Sequence, residues 1–261
     1  VYLSLFEYRL TDPTQTKTFV GLFNYLKAIN TKDFRTIFKN TLIFVFFTVS
    51  IQLTLGYLLA AALNKENKII NFIRTIIIIP MSITPIVIGL VWKNLYNADY
   101  GWLSYLIQQL DFINISGSVL SNYSTAMGGV VLIDIWRWTP LVMLMFLAGL
   151  KSIDKQYYEA AKIEGASIFQ RFRYVTFPLL KPVILVALII RTLDAFKVFD
   201  IIWASTSGGP GLATEVLNFH IYKEGLEHFN MGSATAKSNI LVLIMIVITI
   251  FYIRILQRQE D

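Results

Sequence analysis

Five long apolar stretches, separated by polar segments of unequal length, dominate this 261-residue chain. TLIFVFFTVSIQLTLGYLLAAAL at 41–63 is the first, and the others run over about 72–96, 126–150, 179–204 and 234–256. Each holds enough mainly apolar residues to cross a bilayer as a helix. Pro80 and Pro85 fall in the second stretch and Pro140 in the third. There they remove backbone hydrogen bonds and are expected to kink or loosen the spans. Between the stretches, 97–125 is polar and contains the amphipathic piece WLSYLIQQL, and 205–232 is a polar loop with the turn SGGPG. Residues 11–39 are mixed, with amphipathic pieces such as GLFNYLKAI. VYLSLFEYRL has the look of the tail of an earlier apolar span, so 1–40 reads as the end of a first span followed by an extracytoplasmic segment. Residues 257–261 form a short tail. The expected fold is all-α, a polytopic transmembrane helix bundle.

Composition supports that pattern. The chain is 55% hydrophobic and only 15% charged, with a mean hydropathy of +0.58, too apolar for an ordinary soluble domain. A net charge of +6 alone would suggest nucleic acid. The positive residues instead sit at helix ends and in short loops, where they orient membrane proteins. The 64–74 turn carries Lys65, Lys68 and Arg74. The 151–181 segment carries Lys151, Lys155, Lys162, Arg171, Arg173 and Lys181, and the C-terminus Arg254 and Arg258. The alternate loops hold no Lys or Arg at 97–125 and only Lys223 at 205–232. The positive-inside rule therefore puts the 151–178 insert and the C-terminus in the cytoplasm. One segment resists. Arg9, Lys17, Lys27, Lys32, Arg35 and Lys39 all fall on the outer side. Trp92, Trp102 and Trp203 lie near the outer boundaries and are expected to anchor at the interface.

The insert contains EAAKIEGASIFQRFRYVTFP at 159–178. Asp154 is placed to cap a helix starting at Lys155, and Gly165 suits the left-handed residue that ends one. Ser167 and Gln170 have capping-box spacing for a second helix, which Pro178 is expected to close. Two helices this short are marginal alone in water and need a packing partner. Tyr157, Tyr158, Phe169 and Phe172 offer the apolar area, either for a docking partner or for packing back on the chain's own bundle.

The spacing Glu159-Ala160-Ala161, three residues, Gly165, nine residues, Val175, one residue, Phe177-Pro178 resembles the EAA motif of binding-protein-dependent ABC importer permeases. In that family the pattern reads EAA, three, G, nine, I, one, LP, so Val and Phe here replace two other apolar residues. FVGLFNYL at 19–26, the NTLIFV start of the first stretch, IPMSITPIVIGLVW at 79–92 and DAFKVFDIIWASTSGGPG at 194–211 resemble its sugar-type branch, which serves maltose-like oligosaccharides, other sugars and glycerol phosphate. The resemblance implies a type I importer permease of a bacterial-type inner membrane. It implies a second, related permease, an extracytoplasmic solute-binding protein that delivers a sugar, and ATP-binding subunits that hold ATP and Mg. Tyr157, Tyr158, Glu159, Ala160, Ala161, Gly165 and Pro178 would then carry ATPase coupling.

Charges inside spans cost about 2.5–3.5 kcal/mol each on insertion scales and so need a reason. Asp134 and Arg137 are three apart, and Arg191, Asp194, Lys197 and Asp200 continue in steps of three. Asp134, Arg137, Arg191 and Asp194 either line a translocation path or neutralise one another against neighbouring helices. Thr214 is expected to cap a helix running toward Gly225. No catalytic pattern is present. The sequence has no G-x-x-x-x-G-K-[ST] and no HExxH, and His220 and His228, eight apart, make no convincing metal pair. With no cysteine, thiol chemistry and Cys-based metal sites are excluded. The chain is thus expected to bind no cofactor or metal itself and to contact membrane lipid rather than nucleic acid. Two other readings stand beside the importer: an ion-driven secondary transporter using Arg191 and Asp194, and an intramembrane enzyme.

Overall fold

The computed structural model describes residues 1–12, 17–109 and 117–257. Leu110 and the tail from Arg258 to Asp261 therefore lie outside the described residues. Two short strands, β1 (Phe6–Glu7) and β2 (Thr18–Phe19), pair antiparallel. The other elements are helical: α1 (Phe23–Asn30), α2 (Lys32–Ala62), α3 (Lys68–Ser82), α4 (Pro85–Leu95), α5 (Trp102–Gln108), α6 (Ala126–Ser152), α7 (Lys155–Ile163), α8 (Ile168–Arg171), α9 (Phe177–Phe196), α10 (Asp200–Ser205), α11 (Leu217–Tyr222) and α12 (Met231–Gln257). Among the described residues, α2, α6 and α12 are each long and apolar enough to cross a membrane, and α3 with α4 qualifies as one broken span.

Two of the apolar stretches are interrupted. The 72–96 stretch divides at Ile83 and Thr84, whose ψ angles are both 140°. Pro85 is the cause, because a residue before proline is pushed into extended backbone. Pro85 itself occupies the first turn of α4, where its missing N–H costs nothing. Pro80 and Pro140 stay inside α3 and α6. The 179–204 stretch stops being helical at Lys197–Phe199 before α10 begins with Asp200 in its first turn. The Asn218 amide donates to the carbonyls of Lys197 (2.8 Å) and Val198 (3.4 Å), replacing hydrogen bonds that the break removes. The step-of-three ladder from Arg191 to Asp200 therefore does not continue along one helix.

The chain forms two compact units. The first comprises Val1–Phe47, Thr84–Asp134 and Leu193–Ile250. In it α4 packs on α10 so tightly that a Cβ on Gly89 would lie 2.6 Å from the Ala204 methyl and 3.3 Å from the Ile201 carbonyl. The Leu217 N–H donates to the Thr41 hydroxyl (2.8 Å) and the Asn40 amide to the Leu212 carbonyl (2.7 Å), tying the loop before α11 to the start of α2. Trp92 is buried here and stacks toward Tyr96, with ring centroids 5.5 Å apart. It is a core residue rather than an interface anchor, whereas Trp102 and Trp203 are exposed.

The second unit comprises Thr48–Ile83, Ile135–Thr192 and the chain from Phe251. Ala60, Val142, Met143, Phe146, Leu147, Leu150 and Leu180 form its core. At the ends of α2 and α3 the Arg74 guanidinium donates to the carbonyls of Leu63 and Lys65, and the Asn67 side chain caps α3 by accepting from the Ile70 N–H (2.7 Å). Lys151 meets Glu66 at 2.8 Å, which joins the 64–67 turn to the end of α6.

The Gly89 contact has a measurable consequence. Gly89→Val should lower stability by about 1–3 kcal/mol through overpacking, whereas Gly128→Ala on α6, where an added Cβ meets nothing within 4 Å, should be neutral or stabilise by up to about 1 kcal/mol through helix propensity. Thermal melts of the detergent-solubilised chain read both effects.

Candidate functional site

The insert after α6 is built as its caps dictate. The Asp154 carboxylate accepts from the Gln156 N–H (3.0 Å) and starts α7. At the other end Gly165 has φ +75°, its N–H donates to Lys162 and the Ala166 N–H donates to Ala161 (2.9 Å), a Schellman ending. Ser167 and Gln170 then form a reciprocal capping box at 3.2 and 2.7 Å. Pro178 does not close the second helix. After α8 the chain makes a π-helical turn over Phe172–Thr176 and runs on into α9, with Pro178 in its first turn. The wider turn, in which Phe177 N–H reaches back to the Phe172 carbonyl, accommodates a proline that lacks an N–H of its own.

The aromatics of the insert divide between two tasks. Phe172 packs on Tyr57 (5.2 Å between centroids) and on Phe177 (6.1 Å), and the Tyr158 hydroxyl pairs with Thr176 at 3.1 Å. These contacts fasten the insert to its own unit. Tyr157, Glu159, Ala160, Ile163, Gly165, Ile168 and Phe169 remain exposed, and Ala161 is half-buried. Ile163 is 87% and Ile168 80% exposed, so the bend around Gly165 presents apolar side chains to its surroundings. Behind α8 lies an apolar groove of about 720 Å³, walled by Tyr57, Leu58, Phe146, Phe169 and Ile184 among others.

The buried charges have specific partners. Arg191 is fully buried, donates from Nε to the Gln52 amide oxygen (2.8 Å), and its guanidinium lies 4.8 Å from the Trp138 ring centroid. The Arg137 guanidinium lies 4.5 Å from the same ring. One tryptophan thus faces two cations, an arrangement that favours both. Asp134 is buried on α6, and Asp194 pairs with Lys197 at 3.3 Å. Sequence reasoning missed Gln52 and Trp138. A glutamine in the middle of an apolar stretch was the available signal.

A second polar cluster was also missed. Glu215, nearly fully buried, meets His220 Nδ1 at 2.6 Å and Lys223 Nζ at 2.9 Å. His220 Nε2 is 2.9 Å from Lys237 Nζ, and Lys237 pairs with Glu224 at 3.3 Å. Lysine offers only donors, so Nε2 accepts and Nδ1–H donates to Glu215. Thr214 does not cap α11. Its hydroxyl donates to the Gly209 carbonyl (2.9 Å) and pairs with Thr206 (2.7 Å), which fixes the SGGPG turn instead. Burial pushes the Glu215 carboxyl up, but the hydrogen bonds from His220 and Lys223 and the charge of Lys223 outweigh it, and the group sits below its ordinary value of 4.5. Glu224 behaves alike, with burial opposed chiefly by Lys237.

A lowered folded-state pKa means stability that is present above the ordinary value and lost as pH falls through the lowered one. Glu215→Gln should therefore destabilise the chain by about 3 kcal/mol at neutral pH, since it leaves the largely buried Lys223 ammonium without its partner. The gap to the unaltered chain should narrow as pH falls below 4.5. Melting curves collected across that range test the sign.

Comparison with known proteins agrees with this architecture. Residues 52–260 match the family described as binding-protein-dependent transport system inner membrane component. The chain is 38% identical over 250 residues to the trehalose/maltose transport system permease protein MalF of Thermococcus litoralis, covering 94% of this chain and 82% of that one. It is 35% identical over 245 residues to the sn-glycerol-3-phosphate transport system permease protein UgpA of Agrobacterium fabrum, covering 94% and 83%. In fold it is similar to a chain of a bacterial ABC transporter involved in import of the acidic polysaccharide alginate, with a TM-score of 0.82, 21% identity and coverage of 98% of this chain and 87% of that chain. A chain of the MetNI methionine ABC transporter aligns at a TM-score of 0.60 and 17% identity, covering 91% and 98%. A match that spans most of the chain, on a bundle of apolar helices with a capped polar insert, shows that the chain belongs to the binding-protein-dependent transport system inner membrane components.

Proposed function

We propose that this chain is one of two related permease subunits of an ATP-driven importer for a sugar or oligosaccharide, with the 151–178 insert and the C-terminus in the cytoplasm. The observation that carries this reading is the insert itself. It is capped at both short helices, held through Phe172 to Phe177 of α9, and shows Tyr157, Ile163, Ile168 and Phe169 outward among charged side chains. A separate ATP-binding subunit would hold ATP and Mg and receive α7 in a cleft, through Tyr157, Glu159, Ala160, Ala161 and the Gly165 bend. Tyr158 and Pro178 would act from behind that surface, one through Thr176 and the other at the turn into α9. The names of the relatives support the substrate class, since they handle trehalose, maltose and glycerol phosphate. The ion-driven alternative finds no support among them.

Coupling follows from the continuity of the backbone. Closure of the ATPase subunits displaces α7 as a body, because both its ends are capped. Tyr158 and Phe172 pass that displacement to the π-helical turn and to α9. Arg191 lies 14 residues past Phe177 on the same helix, roughly 21 Å at the helical rise. Motion at the cytoplasmic end therefore reaches a buried cation deep in the span. Asp134, Arg137, Arg191 and Asp194 are proposed to line or gate the path into which an extracytoplasmic binding protein delivers the sugar.

Gly165→Leu tests the coupling role. A side chain at φ +75° is strained by about 1–2 kcal/mol, a modest cost against total stability, and it projects toward the docking surface. Uptake by the reconstituted transporter should fall at least tenfold, on the order of the loss of one good contact, while the permease still melts cooperatively. Uptake at the unaltered level would remove the insert from the coupling path.

A further inference from the structure

The first 40 residues hold six basic side chains that the charge rule leaves on the wrong side, and four of them lie on α1 and the first turns of α2. This helix is amphipathic in the inverted sense. Its polar side faces the protein: Asn24 is buried and donates to the carbonyls of Ser4 and Phe6 (both 2.9 Å), and the Tyr25 hydroxyl meets Ser4 Oγ (2.7 Å) and accepts from Asn239 (2.8 Å). Its apolar side faces outward. Leu22, Phe23, Leu26 and Ile29, at helical spacing, are 50–65% exposed. A water-facing helix has the reverse arrangement, so the outward side of α1 is built for an apolar medium.

Exposed cations follow this stripe along the chain. Lys27 is exposed beside it on α1. Lys32, Arg35 and Lys39, also exposed, recur at three and four residues on one face of the first two turns of α2. Among the described residues none of the four pairs with a carboxylate. The apolar run of α2 begins at Thr41, so these turns stand at headgroup level when α2 crosses the bilayer.

We propose that α1 and the first turns of α2 form a docking surface for anionic phospholipid. Leu22, Phe23, Leu26 and Ile29 lie among the upper acyl carbons, and Lys27, Lys32, Arg35 and Lys39 hold the phosphates. An in-plane amphipathic helix with flanking basic residues binds an interface by the sum of apolar burial and attraction to anionic lipid. The continuity of the stripe with a membrane-crossing helix and the exposed cations that follow it both favour lipid over a protein partner.

The chain has no cysteine, so single labels are clean. Leu26→Cys and Phe46→Cys, the latter an exposed apolar position on α2, are nitroxide-labelled in the assembled transporter. The complex is reconstituted in vesicles of equal phosphatidylcholine and phosphatidylglycerol. The Leu26 label should resemble the Phe46 label, relaxed by oxygen and protected from a water-soluble nickel chelate. Access to the chelate, or protection from both agents by a covering subunit, would overturn the proposal. Contact of the Leu26 label with spin-labelled phosphatidylglycerol should exceed contact with phosphatidylcholine. That preference should fall about fivefold for each cation removed in Lys32→Gln, Arg35→Gln and Lys39→Gln. An undiminished preference in the triple variant would equally count against it.

Discussion

A peptide group inside lipid has no water to bond to, and each one left unpaired costs several kcal/mol. Backbone groups that leave the regular helical pattern need a partner elsewhere as well, and three places among the described residues supply one. Where α2 ends, the Arg74 guanidinium covers the carbonyls of Leu63 and Lys65. Where the chain breaks after α9, Asn218 covers Lys197 and Val198. Where the chain makes a π-helical turn before Pro178, the shifted hydrogen bond from Phe177 to Phe172 keeps the backbone paired. The breaks are tolerated because a side chain or a wider turn supplies the partner that regular helix would have given.

The same constraint decides which features were legible in the sequence. The apolar stretches could be read directly, because a span must be long and nearly uncharged. The caps of the insert could be read too. Asp154, Gly165, Ser167 and Gln170 act on backbone groups two to five residues away, and local spacing encodes local geometry. The breaks at Ile83–Thr84 and Lys197–Phe199 could not be placed with equal ease. Pro80, Pro85 and Pro140 look alike in sequence, yet only Pro85 adjoins a break, since the effect of a proline depends on whether it falls in a helix interior or a first turn. The break after α9 is completed by Asn218, 21 residues later, and no local pattern reports that contact.

The buried charges show the same limit from the electrostatic side. Steps of three along one segment left two readings for Arg191, a lining of the path or neutralisation against neighbouring helices. In the fold Arg191 is held by Gln52, 139 residues away, and by Trp138. Both contacts come from residues far away in the chain, which local spacing does not report. The cluster around Glu215 shows the same limit. Its two carboxylates are matched by Lys223, Lys237 and a histidine with both ring nitrogens occupied, an arrangement that fixes a loop.

The insert and α1 each divide their side chains in a comparable way. The insert packs Tyr158 and Phe172 against its own unit and leaves Tyr157 and Phe169 exposed. On α1 the division is by polarity, with Asn24 and Tyr25 spent inward and the apolar stripe left outside. In both places the side chains that secure the element are distinct from those it presents. A surface secured this way changes little when its partner arrives, so less ordering entropy opposes binding. For the insert, such rigidity is what the proposed coupling through α7 would require.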